Sequence, residues 1–322
     1  MGTATMRAVR LHAFGEPEQL VYEEVARPRP GPGEVLVRVH AAGVNPPDWY
    51  ARRGFENIPA EFRPNWTPPL ILGSDISGVV TALGPGVTEW RPGDEVFGLV
   101  NFPGRASGYA EYAVSPAAHL ARKPSAFGHV EAAAVPMAGL TAYQYLFTHL
   151  RGAAGSTVLV NGAAGGVGHF AAQLARVAGA KEVIGVASGR HEEFLLGLGV
   201  DRFVDYTRTP AEEAVHDVDL LIDTVGGPDA HRLLPAVRRG GRIAPVFLGD
   251  YRPERAIELG ITVATWQVRS SGSDLAELAA LIDAGQVRVG IDSVFPLSNA
   301  AAAHTRAEQG HLQGKIVLKI AD

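Results

Sequence analysis

Apolar residues come in short runs over the first part of the chain: Met6–Leu11, Glu34–Val39, Ile76–Val80 and Glu95–Val100. Turn-forming clusters separate them, namely Arg29-Pro30-Gly31-Pro32-Gly33, Gly84-Pro85-Gly86 and Arg91-Pro92-Gly93-Asp94. Many short strands with Gly/Pro turns predict a compact β-rich domain. The rhythm then changes. Positions 130–150 predict one helix. From Ser156 strands and helices alternate: strands over Thr157–Asn161, Glu182–Ala187, Asp219–Thr224, Arg242–Phe247 and Thr262–Val268, with helices over 169–178 and 191–198. Such alternation predicts a doubly wound parallel sheet, so the fold class is α/β. The tail from Asp274 holds two helical stretches and a strand over Lys315–Ile320. It is too short to be a domain, and is expected to return to the first one.

Composition narrows the partners. With 46% hydrophobic and 20% charged residues the 322-residue chain is globular and can fill two cores. No apolar run approaches the roughly 18 residues of a membrane helix, and the first eleven residues lack a signal-peptide core. A cytoplasmic protein is expected, with no membrane partner. A net charge of -5 argues against nucleic acid. The absence of cysteine excludes disulfides, thiol nucleophiles and Cys-based zinc sites. No G-x-S-x-G elbow marks a hydrolase.

The sharpest local signal is Val158-Leu159-Val160-Asn161-Gly162-Ala163-Ala164-Gly165-Gly166-Val167-Gly168. A strand enters a glycine-rich turn that opens a helix. Backbone N–H groups of Ala164, Gly165, Gly166 and Val167 are thereby expected to approach a pyrophosphate at the positive helix end. The next strand bears on the choice of cofactor. An NAD site expects an acidic residue about 20 positions beyond the glycines. Here Val186-Ala187 leads into Ser188-Gly189-Arg190, a hydroxyl and a guanidinium suited to a 2′-phosphate, so NADPH is expected. The alternative for Arg190 is a solvated helix-start residue. Phe247 and Trp266 are expected to end two late strands, where an open α/β sheet forms its ligand crevice, or to serve as core aromatics.

With these residues placed, the chain from Met6 to Ile320 resembles the medium-chain dehydrogenase/reductase superfamily, and most of all its zinc-free quinone oxidoreductase (zeta-crystallin-like) branch. The residues that carry the resemblance are Gly43-Val44-Asn45-Pro46-Pro47-Asp48 with Arg52 and Gly54, Gly73-Ser74-Asp75-Ile76-Ser77-Gly78, Gly93-Asp94-Glu95-Val96, Gly108-Tyr109-Ala110-Glu111-Tyr112, Gly139-Leu140-Thr141-Ala142, the glycine turn, and Gly314-Lys315-Ile316-Val317. The resemblance implies a GroES-like catalytic domain built from residues 1–126 and 270–322, a Rossmann NADP(H) domain over 127–269, and an active site in the cleft between them. The zinc alcohol dehydrogenases carry Cys where this chain has Asn45, and a His-Glu pair where it has Ser74-Asp75. Neither Asn45 nor Ser74 is an ordinary zinc ligand, so no metal is expected. His304 and His311 are read as tail-surface residues.

The resemblance further places Asn45, Asp48 and Tyr50 at the mouth of the nicotinamide pocket. Asn45 would orient the carboxamide or the substrate. Tyr50 would donate to a developing oxyanion or form the pocket wall. Asp48 and Arg52, four residues apart, are expected to form an ion pair that organises a short helix. Thr141 would lie near the nicotinamide, or bond its own helix backbone. Tyr206 would approach the adenosine phosphates. Phe55, Phe62 and Trp66, interleaved with prolines, form a loop that either caps an apolar substrate or folds on its own side chains. Without a metal to polarise a simple carbonyl, a conjugated acceptor is the natural substrate, because charge delocalises onto its oxygen. An NADPH-dependent reductase of quinones or α,β-unsaturated carbonyls is expected. A tailoring enoyl reductase acting on polyketide or acyl-thioester intermediates and a redox-inactive NADPH-binding structural protein are the alternatives. Related proteins pair along the edge of the Rossmann sheet, which makes Thr262–Val268 the candidate edge of a homodimer.

Overall fold

The computed structural model describes residues 4–56 and 58–321, apart from the side chain of Phe62. Eight strands form before the first long helix: β1 (Thr5–Leu11), β2 (Leu20–Ala26), β3 (Glu34–Val44), β4 (Leu70–Ile71), β5 (Asp75–Leu83), β6 (Glu95–Leu99), β7 (Tyr112–Pro116) and β8 (Leu120–Arg122), with the short helix α1 (Pro46–Arg52) after β3. The expected strands lie within this set. Strands β2, β7 and β8 were not predicted. In β2 half-exposed residues alternate with exposed ones and blur the apolar signal.

The predicted helix over 130–150 is three pieces: α2 (His129–Ala133), α3 (Pro136–Tyr143) and a π-helical segment, Gln144–His149. Pro136 has no N–H to continue α2 and starts a new helix instead. In the π segment the Leu150 N–H reaches back five residues to the Tyr145 carbonyl. The alternating region gives β9 (Thr157–Asn161), α4 (Gly168–Val177), β10 (Glu182–Ala187), α5 (Glu192–Gly197), β11 (Arg202–Asp205), α6 (Ala211–Ala214), β12 (Val218–Asp223), β13 (Val237–Pro245), α7 (Pro253–Glu258) and β14 (Thr262–Val263). These six strands form one parallel sheet in the order β11-β10-β9-β12-β13-β14. The order reverses beside β9, so the crevice at its carboxyl end is the natural ligand site. Two late strands are shorter than expected. β13 ends at Pro245, before Phe247, and β14 spans only two residues, leaving Trp266 in irregular chain.

After α8 (Gly272–Asp283) the tail forms β15 (Ile291–Pro296), α9 (Ala300–Glu308) and β16 (Lys315–Lys319). Both tail strands join the first region, in a seven-stranded sheet ordered β15-β16-β3-β5-β6-β8 with β7 also on β3. β16 runs antiparallel to β3 with Ile316 opposite Val44. This register sets Lys315 beside Asn45. One apolar core continues from Phe97 and Leu99 through Leu140 and Leu278 to Val158 and Val160, so the two sheets share packing.

Two expectations about polar residues fail for one reason: tertiary partners override local spacing. Asp48 and Arg52 do not pair. Arg52 is fully buried, and its guanidinium donates to the Gly15 carbonyl at 2.5 Å and to Glu308 Oε1 at 2.6 Å. Asp48 faces the other way, into the protein. His304 is not a surface residue: it is fully buried on α9, 3.3 Å from the Tyr109 hydroxyl, whereas His311 is exposed. Burial pushes His304 down to about 3, so the ring is neutral.

The Arg52–Glu308 pair fastens α1 to the tail helix α9. Glu308→Ala should therefore lower stability by about 2–3 kcal/mol, because a buried guanidinium loses its partner. Glu308→Gln, which keeps an acceptor, should cost less. Urea unfolding of both variants measures the difference.

Candidate active site

The site begins where β3 ends. Asn45 leaves the sheet in extended backbone, and Pro46 starts α1. The Asp48 carboxylate reaches back to the Asn45 N–H at 2.8 Å and also accepts from the Gly73 N–H at 3.2 Å and the Tyr109 hydroxyl at 3.0 Å. Tyr109 passes so close to Gly73 that a Cβ there would lie 2.3 Å from the ring, and Gly73 has φ +91°. Only glycine satisfies both constraints.

The Asn45 amide has two side-chain partners. Its Nδ2 donates to Asp75 Oδ2 at 2.8 Å, and its Oδ1 accepts from Lys315 Nζ at 2.5 Å. Lys315 also donates to the Val44 carbonyl at 2.6 Å. Asp75 Oδ1 takes the Met137 N–H at 2.8 Å, which ties this cluster to the amino end of α3. All four side chains, those of Asn45, Asp48, Asp75 and Lys315, are buried. Desolvation dominates their titration: Asp75 is pushed up to about 7 and Asp48 to about 6, while Lys315 is pulled down. The charge of Lys315 lowers both carboxyl groups, while its direct partners are Asn45 and Val44.

The glycine turn lies on the other side of Lys315. Gly162 has φ +73°, and a Cβ on it would lie 2.4 Å from Thr224 Oγ1. A Cβ on Gly168 would lie 2.2 Å from the Gly162 carbonyl, so glycine allows α4 to begin tight against the turn. His169, fully buried, accepts the Gly290 N–H at Nε2, which leaves the Nδ1 proton for the Gly165 carbonyl at 2.9 Å. The ring is held neutral, pushed down to about 4 by burial. A backbone cradle at a helix amino end, closed to side chains, fits a dinucleotide pyrophosphate.

The other expected residues fall into separate groups. Ser188, Arg190 and Tyr206 gather at the carboxyl ends of β10 and β11. Arg190 is exposed and donates to the His311 carbonyl and to His191, while the Tyr206 hydroxyl lies 3.4 Å from His311 Nδ1. Tyr50 is half-buried, and its ring centre is 5.7 Å from that of Phe247, which joins α1 to the loop after β13. Burial pushes the Tyr50 phenol up to about 12. Thr141 is buried and donates to the Met137 carbonyl at 2.7 Å, the local helix bond foreseen as its alternative. Trp266 stacks on His149, with ring centres 4.8 Å apart, and packs edge-on against Tyr145. Phe55 is buried against Trp66, so that loop is folded on its own side chains.

Sequence reasoning gave no role to Lys315, Asp75 or His169. Lys315 and Asp75 lie inside quoted motifs, and the signal was a charge set in apolar strand sequence. Asp205 was also missed as a site residue. Its Oδ1 accepts from Thr207 N and Oγ1, and it lies against Gly189. Among the described residues no group of three or more His, Asp or Glu is arranged to hold a metal ion, and no helix is long and apolar enough to cross a membrane.

Residues 31–125 match the alcohol dehydrogenase GroES-like domain family, and residues 198–318 match a family described as zinc-binding dehydrogenase. The mouse mitochondrial NAD(P)H oxidoreductase RTN4IP1 is 32% identical over 90% of this chain and 82% of its own. A rat quinone oxidoreductase is 32% identical over 94% of both. The chain belongs to the medium-chain dehydrogenase/reductase superfamily, in its quinone oxidoreductase branch. The solved structure of the quinone oxidoreductase from Coxiella burnetii superposes with a TM-score of 0.88 at 32% identity, over 98% of this chain and all of that one. The protein is an oxidoreductase that uses a pyridine nucleotide on a small-molecule substrate.

Burial sets a pH dependence for this oxidoreductase. An unfolded Asp ionises near 4, and folded Asp75 near 7. Over that window the native state holds the extra proton, so the contribution of Asp75 to stability is full below about pH 4 and is lost as pH rises through about 7. Asp75→Asn removes this loss. Whatever its absolute cost, the variant should gain on the wild type between pH 5 and pH 8 in urea unfolding.

Proposed function

We propose that the protein is an NADPH-dependent, zinc-independent reductase that transfers hydride to a quinone or an α,β-unsaturated carbonyl. One observation carries the reading: the buried polar cluster beside the glycine turn is built from an amide, two carboxyl groups and an ammonium, not from the Cys and His of the zinc enzymes. Asn45 and Ser74 stand where the zinc enzymes carry Cys and His, and neither suits zinc. With a lysine ammonium seated on Asn45, the cation place of the cluster is already taken. A conjugated acceptor needs less polarisation than an isolated carbonyl, because its charge spreads on reduction.

The nicotinamide, when bound, supplies the hydride. The chain supplies binding, orientation and a hydrogen bond. Tyr50, kept protonated by burial, would donate to the oxygen on which charge develops. The Tyr50–Phe247 contact offers an apolar aromatic wall for a flat acceptor. Asn45 would orient a carbonyl in the pocket. The turn Ala164–Val167 would hold the pyrophosphate, Ser188 and Arg190 the 2′-phosphate, and Tyr206 the adenosine phosphates. Asp205 is the one residue that favours NADH instead, since a carboxylate beside Gly189 is within the same region. Its commitment to Thr207 supports NADPH. A cytoplasmic homodimer belongs to the same reading: β14 is an edge strand, and Ile257 on the neighbouring α7 is 76% exposed.

Oxidation of NADPH and NADH across a panel of quinones, enones and enoyl thioesters tests the reading, with turnover expected on the first two. Preference for enoyl thioesters would make it a tailoring reductase, and no turnover on any acceptor would overturn the reductase reading. Arg190→Ala should weaken NADPH about ten- to a hundredfold, the worth of a hydrogen bond to a charged group, and leave NADH nearly unchanged. Equal losses would assign Arg190 elsewhere. Tyr50→Phe should lower turnover about tenfold with an enone and less with a quinone, and leave NADPH affinity within about twofold. Wild-type turnover on every acceptor would make Tyr50 a pocket wall.

A further inference from the structure

Lys315, like Asp48 and Asp75, is a charged side chain of the site that hydride transfer leaves without a part. Lysine is rarely buried, and ordering its long side chain adds an entropic cost. Here it is buried completely enough to lower its proton affinity. Its stem crosses the glycine turn: a Cβ on Gly166 would lie 3.1 Å from Lys315 Cδ. Its head reaches Val44 and Asn45. An ammonium only donates, and Asn45 offers one oxygen and one NH₂. With Lys315 on one side and Asp75 on the other, the amide is fixed with Oδ1 on the ammonium and Nδ2 on the carboxyl. The second Nδ2 hydrogen has no acceptor among the described residues.

We propose that Lys315 is a positioning residue that acts through Asn45: by fixing the amide, it makes Asn45 a hydrogen-bond donor, never an acceptor, toward a carbonyl oxygen in the cleft. The proposal rests on the reductase reading and deepens it. That carbonyl belongs either to the cofactor carboxamide or to the acceptor, and affinity against turnover separates the two. A second consequence concerns charge. The groups facing Asp75 are Lys315, Asp48 and the Tyr109 phenol; those facing Lys315 are Asp75, Asp48 and His169. Lys315 is the only cation of the set and holds Asp75 down against burial and against Asp48.

Lys315→Met frees the amide to turn. It should cost about tenfold, the worth of one hydrogen bond, in NADPH affinity if the carboxamide is the partner, or in kcat at unchanged affinity if the acceptor is. NADPH fluorescence and steady-state kinetics read the two separately. In the cofactor-free protein the carboxyl ¹³C resonance of Asp75, identified by its loss in Asp75→Asn, should titrate at higher pH in Lys315→Met. A merely structural lysine would lower stability and shift the Asp75 titration through its charge, and would leave kcat and NADPH affinity unchanged. A folded Lys315→Met with wild-type kcat and NADPH affinity overturns the proposal, whatever the titration shows. Should the single variant fail to fold, Lys315→Met/Asp75→Asn, which removes one charge of each sign, is held to the same kinetic criterion. If the wild type reduces no acceptor, the reductase reading falls, and NADPH affinity alone decides the role of Lys315.

Discussion

One buried ammonium, seated on the Asn45 amide oxygen and the Val44 carbonyl, holds the site together. Lys315 comes from the last strand, Asn45 and Asp48 from the end of β3 and the start of α1, and Asp75 from β5. Removing such charges from water costs several kcal/mol each, so the cluster persists only while each member keeps its partners. The fold supplies them. β16 must pair with β3 in its observed register for Lys315 to reach Asn45, and α3 must begin where the Met137 N–H meets Asp75. The glycine turn then closes over the lysine stem, so cofactor cradle and polar cluster share a wall.

In the proposed reaction that arrangement stands in for a metal. Lewis acidity is needed where charge builds on one oxygen. An acceptor that spreads its charge needs orientation and a donor, and fixed hydrogen bonds in a dry pocket supply both. In the proposed role the buried charge holds Asn45 rather than polarising substrate. Tyr50, from the same short helix, faces Phe247 across to the nucleotide sheet. The helix that carries it is fastened from behind by Arg52 and Glu308.

Features with a local cause were legible in the sequence. The strand–turn–helix of residues 158–168 needs nothing beyond its own glycines and apolar strand, and the return of the tail followed from its length. Features with a distant cause were not. The spacing of Asp48 and Arg52 suggested an ion pair, but Tyr109 and Glu308, 61 and 256 residues away, claim them separately. His304 looked like a surface residue because α9 is weakly amphipathic, yet it is buried against Tyr109. Lys315 stood in a motif without a role, and the pairing of β16 with β3 sets it beside Asn45. Trp266 failed as a strand-end residue because β14 stops after two residues.

Diffraction at the zinc absorption edge, from crystals grown with NADPH and added zinc, is the most direct test of the lysine as cation of the site. With Lys315 in that role, no anomalous peak lies within coordination distance of Asn45, Ser74 or Asp75. The Lys315 ammonium remains on the Asn45 amide oxygen, and the amide nitrogen faces a carbonyl in the cleft. A zinc peak among those residues, with the lysine displaced, would contradict it.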